Sequence, residues 1–331
     1  MTNGFYHGSW AHQRLKGKDL LTFAELDESD IDLLLRLSSA LKRTRKNFRE
    51  PIMRGLTQLL IFQKPSTRTR VSFEIAMREL GGNSIALSAN ELQLGRGETI
   101  EDTAKVLSRY GHLMMARVNA HEEVVRLAKA SSIPVINGLS DEYHPVQILA
   151  DLFTLAERKG GLKGLKVAWV GDGNNMCNSW MLGAALTGIE FVAATPKEFR
   201  PKASVLREAR RLIADGATIT MVEDPVEAVT AADCVMTDSF VSMGFEKERE
   251  KRISSFLPKY RVTEKLLSHA ASGSIFMHCL PAHRGEEVTD GVMDGPHSVV
   301  FDEAENRLHT TKALLCLLLL GERKARAVAG T

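Results

Sequence analysis

Cysteine is scarce in this chain: Cys177, Cys234, Cys279 and Cys316 are the only four in 331 residues. No CxxC pair occurs and no His/Cys run has zinc-ligand spacing, so no metal site is expected. Reduced thiols in a cytoplasmic protein are the simplest reading. An excess of one charge is also missing. The 43 Lys and Arg residues oppose 41 Asp and Glu, interspersed, for a net charge of +2. A nucleic-acid partner needs a basic stripe or patch, so none is expected. A small local cluster could still serve an anionic small molecule. Long hydrophobic runs are absent as well. The longest, Ala313 to Leu320, falls far short of the roughly 20 residues that span a bilayer and reads as a buried helix. The opening stretch MTNGFYHGSWAHQ has no charged start followed by an apolar core, so neither a secretory leader nor a membrane partner is expected.

What is present is an ordinary globular balance, 44% hydrophobic and 25% charged, with length for two domains rather than one. Short apolar runs alternate with amphipathic segments. The spacing predicts strands at 56–62, 84–87, 113–118, 133–136, 166–170, 190–194, 218–222, 234–237 and 274–279. It predicts helices up to Leu80, then at 101–110, 122–130, 144–158, 179–187, 202–214, 225–231, 263–271 and 311–323. The glycine cluster Lys159-Gly160-Gly161-Leu162-Lys163-Gly164 is the best boundary in the chain. The reading is α/β: two Rossmann-like domains joined near residue 160, each a parallel sheet flanked by helices. Ligands of such sheets sit beyond the carboxyl ends of the strands. Residues with chemistry do gather there: Ser66, Arg117, Asn137, Gly171, Asp238 and Cys279.

Ser66-Thr67-Arg68-Thr69-Arg70 follows a strand and opens a helix. Free N–H groups and the helix dipole make such a place an anion site. Arginine can add a two-bonded grip on phosphate. Arg68 and Arg70 point to different sides of the helix, so at most one reaches the anion. A Ser/Thr cap with two solvated arginines fits the same residues equally well. His144-Pro145-Val146-Gln147 opens another helix, and Pro145 at its start needs no functional reason. Arg117 ends a strand, and 89–98 is a polar loop with two glycines. Val170-Gly171-Asp172-Gly173-Asn174-Asn175 suggests a dinucleotide turn. However, Met176 replaces the third glycine and Thr195 stands where an acidic ribose ligand belongs, so NAD binding is not expected. His278-Cys279 suggests a thiol nucleophile, but strand neighbours point to opposite faces.

Together these segments resemble the aspartate and ornithine carbamoyltransferases over nearly the whole chain from Leu15. Phe62-Gln63-Lys64-Pro65-Ser66-Thr67-Arg68-Thr69-Arg70 is similar to the family's carbamoyl-phosphate signature, and His144-Pro145-Val146-Gln147 to its second motif. The resemblance implies that Ser66, Thr67, Arg68 and Thr69 hold the phosphate and that Arg117 binds both the phosphate and the carbonyl. It implies that His144 bonds the carbonyl oxygen, that Gln147 bonds the carbamoyl amide, and that Arg307, in Asp302-Glu303-Ala304-Glu305-Asn306-Arg307, also binds the carbamoyl group. Gln93 would enter a neighbouring subunit's site, as in the family's homotrimers and larger assemblies. Asp238-Ser239-Phe240-Val241-Ser242-Met243-Gly244 resembles the ornithine loop, with Phe240 where tryptophan is usual. Asn175, Asp238, Ser242 and Met243 would bind L-ornithine. His278-Cys279-Leu280-Pro281 would place Cys279 at the reactive amine and Cys279 and Leu280 at carbamoyl phosphate. The implied fold has a carbamoyl-phosphate domain at 1–158, an ornithine domain at 159–308, and a C-terminal helix at 309–331 returning to the first. No cofactor is implied. Other acceptors (aspartate, putrescine, acetylornithine), a non-catalytic relative and a dehydrogenase are the rival readings.

Overall fold

The computed structural model describes residues 14–46, 51–93, 97–242 and 246–329. Its first half contains α1 (Glu28–Thr44), β1 (Thr57–Phe62), α2 (Thr67–Glu79), β2 (Asn83–Ser88), α3 (Ile100–Leu107), β3 (Leu113–Arg117), α4 (His121–Ala130), β4 (Val135–Leu139) and α5 (Pro145–Lys159). The second half contains β5 (Lys166–Val170), α6 (Asn175–Thr187), β6 (Glu190–Ala194), α7 (Ala203–Arg211), β7 (Thr218–Val222), α8 (Pro225–Val229) and β8 (Cys234–Met236). It continues through α9 (Arg249–Phe256), α10 (Glu264–Leu267), β9 (Ile275–Met277), α11 (Asp290–Met293), α12 (Val300–Leu320) and α13 (Glu322–Ala329). Gly160 caps α5 in the left-handed region, at φ +80°, where glycine carries no steric cost.

All strand pairs are parallel, in two sheets of order β2-β1-β3-β4 and β7-β6-β5-β8-β9. Central strands such as Leu113–Arg117 are buried throughout, which is why they read as continuous apolar runs. In each sheet the chain starts inside, works to one side, and then crosses to the other. The reversal falls between β1 and β3 in the first sheet and between β5 and β8 in the second. The crevices at those points are where an open α/β sheet binds ligands.

Helix α12 ties the halves together. It packs on α1, α2 and α5, as expected of the C-terminal helix. Expected to start at 311, it begins at Val300. The first turns carry Asp302, Glu303, Asn306, Arg307 and His309, whose polarity hides a helix that is nevertheless buried from Asn306 to Leu318. Helix α6 is buried on every side after Asn175, as expected of a helix wedged between layers. The largest apolar cluster accordingly runs through both halves, from Leu34 and Leu37 past Leu149 and Leu314 to Trp180 and Trp169. Smaller corrections have local causes. The strand expected at 133–136 is displaced to Val135–Leu139, so Asn137 lies within it, its amide holding the Leu21 carbonyl at 3.0 Å. Helix α1 was outside the sequence expectations, although Asp27 and Asp30 form a capping box at its start.

Candidate functional site

The two reversal points face each other. Strand β1 delivers Ser66, the residue preceding α2, in an extended conformation with no cap bond from its side chain. Strand β3 ends in Arg117, whose guanidinium donates to the Ser66 hydroxyl at 3.3 Å. In the first turn of α2, Arg68 reaches across and donates to the Leu280 carbonyl at 2.5 Å. Leu280 sits at φ +59°, a strained left-handed position for a branched residue. Arg70 instead pairs with Glu74 at 2.9 Å on the exposed side of the helix, so only Arg68 of the pair faces inward.

From α12, Arg307 enters the same space. It donates to the Thr69 hydroxyl at 3.2 Å and to the Gln147 carbonyl oxygen. His144 and Gln147 stand at the start of α5, both buried. Ser179 of α6 receives the His144 backbone N–H at 2.8 Å. Arg117, Arg307 and His144 each keep a buried ring or guanidinium nitrogen without a hydrogen-bond partner among the described residues. Burial, then the neighbouring arginines, push His144 well below its ordinary range, so it is neutral. Burial lowers Arg117 and Arg307 to about 10, with Arg68 repelling both. Arg117 and Arg307 therefore remain cations at neutral pH. Two buried cations with unused donors, beside Arg68 and a neutral imidazole, make a site for a multivalent anion.

The second domain contributes a different chemistry. Cys279 follows β9 and donates its S–H to Asp238 at 3.3 Å. Burial, then the Asp238 carboxylate, raise the thiol well above its ordinary value, so it is not a thiolate. Asn174 donates to the other Asp238 oxygen at 2.8 Å and also caps α6. Asn175, expected as the ligand of this turn, donates to the Ser140 carbonyl of the first domain at 2.7 Å. Asp172 is buried against Arg252 of α9 at 2.7 Å; its burial pushes the carboxyl up to about 6. Both ring nitrogens of His278 are bonded elsewhere, Nε2 to Glu287 at 3.2 Å and Nδ1 to the Leu280 N–H at 2.9 Å, which removes the Cys–His nucleophile pair. Asp238, His278 and Cys279 offer metal-ligand atoms close together, as do His283, Glu286 and Glu287, but Cys279 is bonded to Asp238, His278 to Glu287 and Glu286 to Arg249.

The other expected residues are placed as follows. Thr67 and Gln93 are exposed, Ser242 is half-buried, and Met243 lies outside the described residues. Phe240 is fully buried and stacks on Phe256 with centroids 4.5 Å apart. The substituted aromatic is thus a core residue at the loop's base. Three polar side chains behind the anion cluster escaped the sequence reading: Asp151, Trp180 and Glu303. Gln147 donates to Asp151 at 2.8 Å and to Glu303 at 3.0 Å. The signal was present in the spacing, since Asp151 lies four residues after Gln147 and three after Ile148 on the apolar face of α5.

Comparison with known proteins agrees with this geometry. Residues 18–157 match the aspartate/ornithine carbamoyltransferase carbamoyl-P binding domain, and residues 163–318 match the Asp/Orn binding domain of the same family. The chain is 52% identical over 309 residues to an ornithine carbamoyltransferase of Pyrococcus horikoshii, covering 93% of this chain and 97% of that one. It is 51% identical over 306 residues to that of Bacillus subtilis, covering 92% and 95%. The solved ornithine carbamoyltransferase of Pyrococcus furiosus superposes with a TM-score of 0.89 at 50% identity, over 93% of this chain and 99% of that one.

Proposed function

The chain belongs to the aspartate/ornithine carbamoyltransferase family, and from that premise we propose that it transfers the carbamoyl group of carbamoyl phosphate to the side-chain amine of L-ornithine, giving L-citrulline and phosphate. The observation that carries this reading is the meeting of the Arg68–Arg117–Arg307 cluster with the Asp238–Cys279 pair across Leu280. One side suits a doubly charged acyl phosphate. The other suits an amine.

In this reading Ser66, Thr67, Arg68, Thr69 and Arg117 hold the phosphate, while His144, Arg307, Gln147 and the Cys279–Leu280 segment hold the carbamoyl group. Neutral His144 donates to the carbonyl oxygen as negative charge grows there. A single preplaced donor of this kind is typically worth about 3–4 kcal/mol. Asn175, Asp238, Ser242 and Met243 hold ornithine. The attacking amine must be neutral, yet a lysine-like amine has a pKa of about 10.4. Asp238 and the Cys279 thiol orient it, and the departing phosphate takes its proton. No covalent intermediate on the enzyme is required, which suits a thiol that stays protonated.

The same reading places the enzyme in arginine metabolism, in the cytoplasm, as a homotrimer in which Gln93 serves a neighbouring subunit's site. Among the described residues no helix is long and apolar enough to cross a membrane. We divide the chain into a carbamoyl-phosphate domain at 1–158, an ornithine domain at 159–308 and a returning segment at 309–331. The continuous α12 spans the last of these boundaries.

The deciding assay offers carbamoyl phosphate with ornithine, putrescine, acetylornithine and aspartate in turn. Citrulline from ornithine is the expected product. A product from another acceptor, with no citrulline, overturns the proposed acceptor. No product from any of them favours the non-catalytic reading.

A further inference from the structure

Behind the anion cluster lie two carboxyl groups that the chemistry above leaves unused. Asp151 of α5 and Glu303 of α12 are both 0% exposed and are brought together on one donor, the Gln147 side-chain nitrogen. Two carboxylates cannot occupy such a place as two anions, so one proton lies between them. Every oxygen has a donor. Asp151 accepts from Gln147 Nε2 at 2.8 Å and from Trp180 Nε1 at 3.0 Å. Glu303 accepts from the same Gln147 nitrogen at 3.0 Å and from the His278 backbone N–H at 2.9 Å. Helices α5, α6 and α12 and the end of β9 thus meet at one shared proton.

The consequence falls on Gln147. A side-chain amide has two orientations, with oxygen and nitrogen exchanged. The guanidinium of Arg307 has only donors, so the end of Gln147 facing it is the oxygen. The nitrogen then faces the carboxyl pair, which accepts from it twice. Gln147 is clamped with its oxygen on the side of Arg307 and Thr69, and that oxygen keeps a second lone pair. An acceptor fixed there bonds an N–H and gains nothing from a methyl group. Carbamoyl phosphate and acetyl phosphate differ in that one group, NH2 against CH3.

We propose that Asp151 and Glu303 are positioning residues which, by fixing the orientation of Gln147, make the site select an acyl phosphate bearing an amide over one bearing a methyl. The inference rests on the carbamoyl-transfer reading and names what sets its donor specificity. Neither carboxyl group touches the substrate.

The test compares the wild-type enzyme with Asp151→Asn and Glu303→Gln. Each change leaves one acceptor oxygen for two donors, so that when it serves Trp180 or the His278 N–H its NH2 faces the Gln147 nitrogen and releases that amide to turn. The expected result is a rise of about tenfold in KM for carbamoyl phosphate, the scale of one well-placed hydrogen bond. The inhibition constant of acetyl phosphate and the KM for ornithine should each change less than about twofold. A purely structural role would weaken both acyl phosphates together. An equal change in both, or no change in KM for carbamoyl phosphate, overturns the proposal. Thermal unfolding identifies a variant that does not fold, and the other is then read. The wild-type enzyme supplies a third reading: its infrared spectrum at neutral pH should contain the C=O stretch of a protonated carboxyl group, and absence of that band overturns the shared proton. Failure of the carbamoyl-transfer reading is distinct, because it shows in the unaltered enzyme, which then forms no citrulline.

Discussion

His144 is neutral because it is buried beside three guanidinium groups, and Cys279 stays a thiol because burial and Asp238 both oppose its ionisation. Both states are set by position, not by residue type. The Cys279 thiol should therefore react with iodoacetamide at pH 8 far more slowly than an ordinary cysteine of pKa about 8.5. Alkylation followed by mass spectrometry checks this; reaction at the free-cysteine rate would mean a thiolate. The Asp151–Glu303 pair makes a stability prediction of definite sign. Burial pushes Asp151 up to about 7 from 3.8, and Glu303 well above 4.5. Between pH 5 and 7 the unfolded chain has released both protons while the folded pair still holds at least one. The native state then binds more protons, so the pair's contribution to stability falls as pH rises, by about 1.4 kcal/mol per pH unit per proton. Urea unfolding of wild type and Glu303→Gln over that range should show a shallower decline in the variant. Parallel curves would remove the shared proton. This pair was hard to see in the sequence, because lone carboxylates on a helix usually mark a solvated face. Arg68, Arg117 and Arg307 stood out only through their motifs, and no spacing rule placed Arg307, about 240 residues away in sequence, on Thr69.

At the scale of elements, apolar alternation located all nine strands of the described residues, since parallel strands buried on both faces are short apolar runs between breakers. It mislaid the start of α12, because polar residues such as Glu303, Asn306 and Arg307 interrupt the apolar pattern over its first eleven residues while remaining helical. Element packing also carries function. Helix α5 presents His144 and Gln147, and α6 seats against it through a glycine. A Cβ on Gly183 would lie 2.8 Å from Ile148 Cγ2 and 3.6 Å from Leu152 Cδ1. A β-branched neighbour has little room to yield. Gly183→Val should therefore cost about 1–3 kcal/mol by overpacking and shift α5 with its ligands. Thermal unfolding should show a lower Tm, and kcat/KM for carbamoyl phosphate should fall more than stability alone explains at a temperature where the variant is fully folded. An unchanged Tm would show that the two helices separate freely.

At the scale of the whole molecule, one chain supplies both reversal points and nearly every residue of the proposed site, with one exception. Gln93 is exposed on the loop after β2, and no hydrogen bond among the described residues joins it to the arginine cluster. Its proposed partner is a neighbouring copy of the chain. The exposed apolar residues Val71 on α2 and Ile85 on the edge strand β2 lie in the same part of the first domain, where a second copy would cover them. If sites are shared around a closed three-fold ring, each combines Gln93 of one subunit with Arg307 of the next. Gln93→Ala and Arg307→Ala chains should then each be strongly impaired alone but complement when co-expressed. Every mixed trimer holds one site whose two contributors are both intact, and random assembly at equal ratio should restore about a quarter of wild-type activity. Sedimentation should give a particle three times the 36.5 kDa chain. If Gln93 acts within its own subunit, mixing restores nothing, because every site then carries one of the two substitutions. If Gln93→Ala alone keeps full activity, the loop has no part in the site. Complementation thus separates a trimer that merely buries apolar surface from one in which the neighbour completes the chemistry.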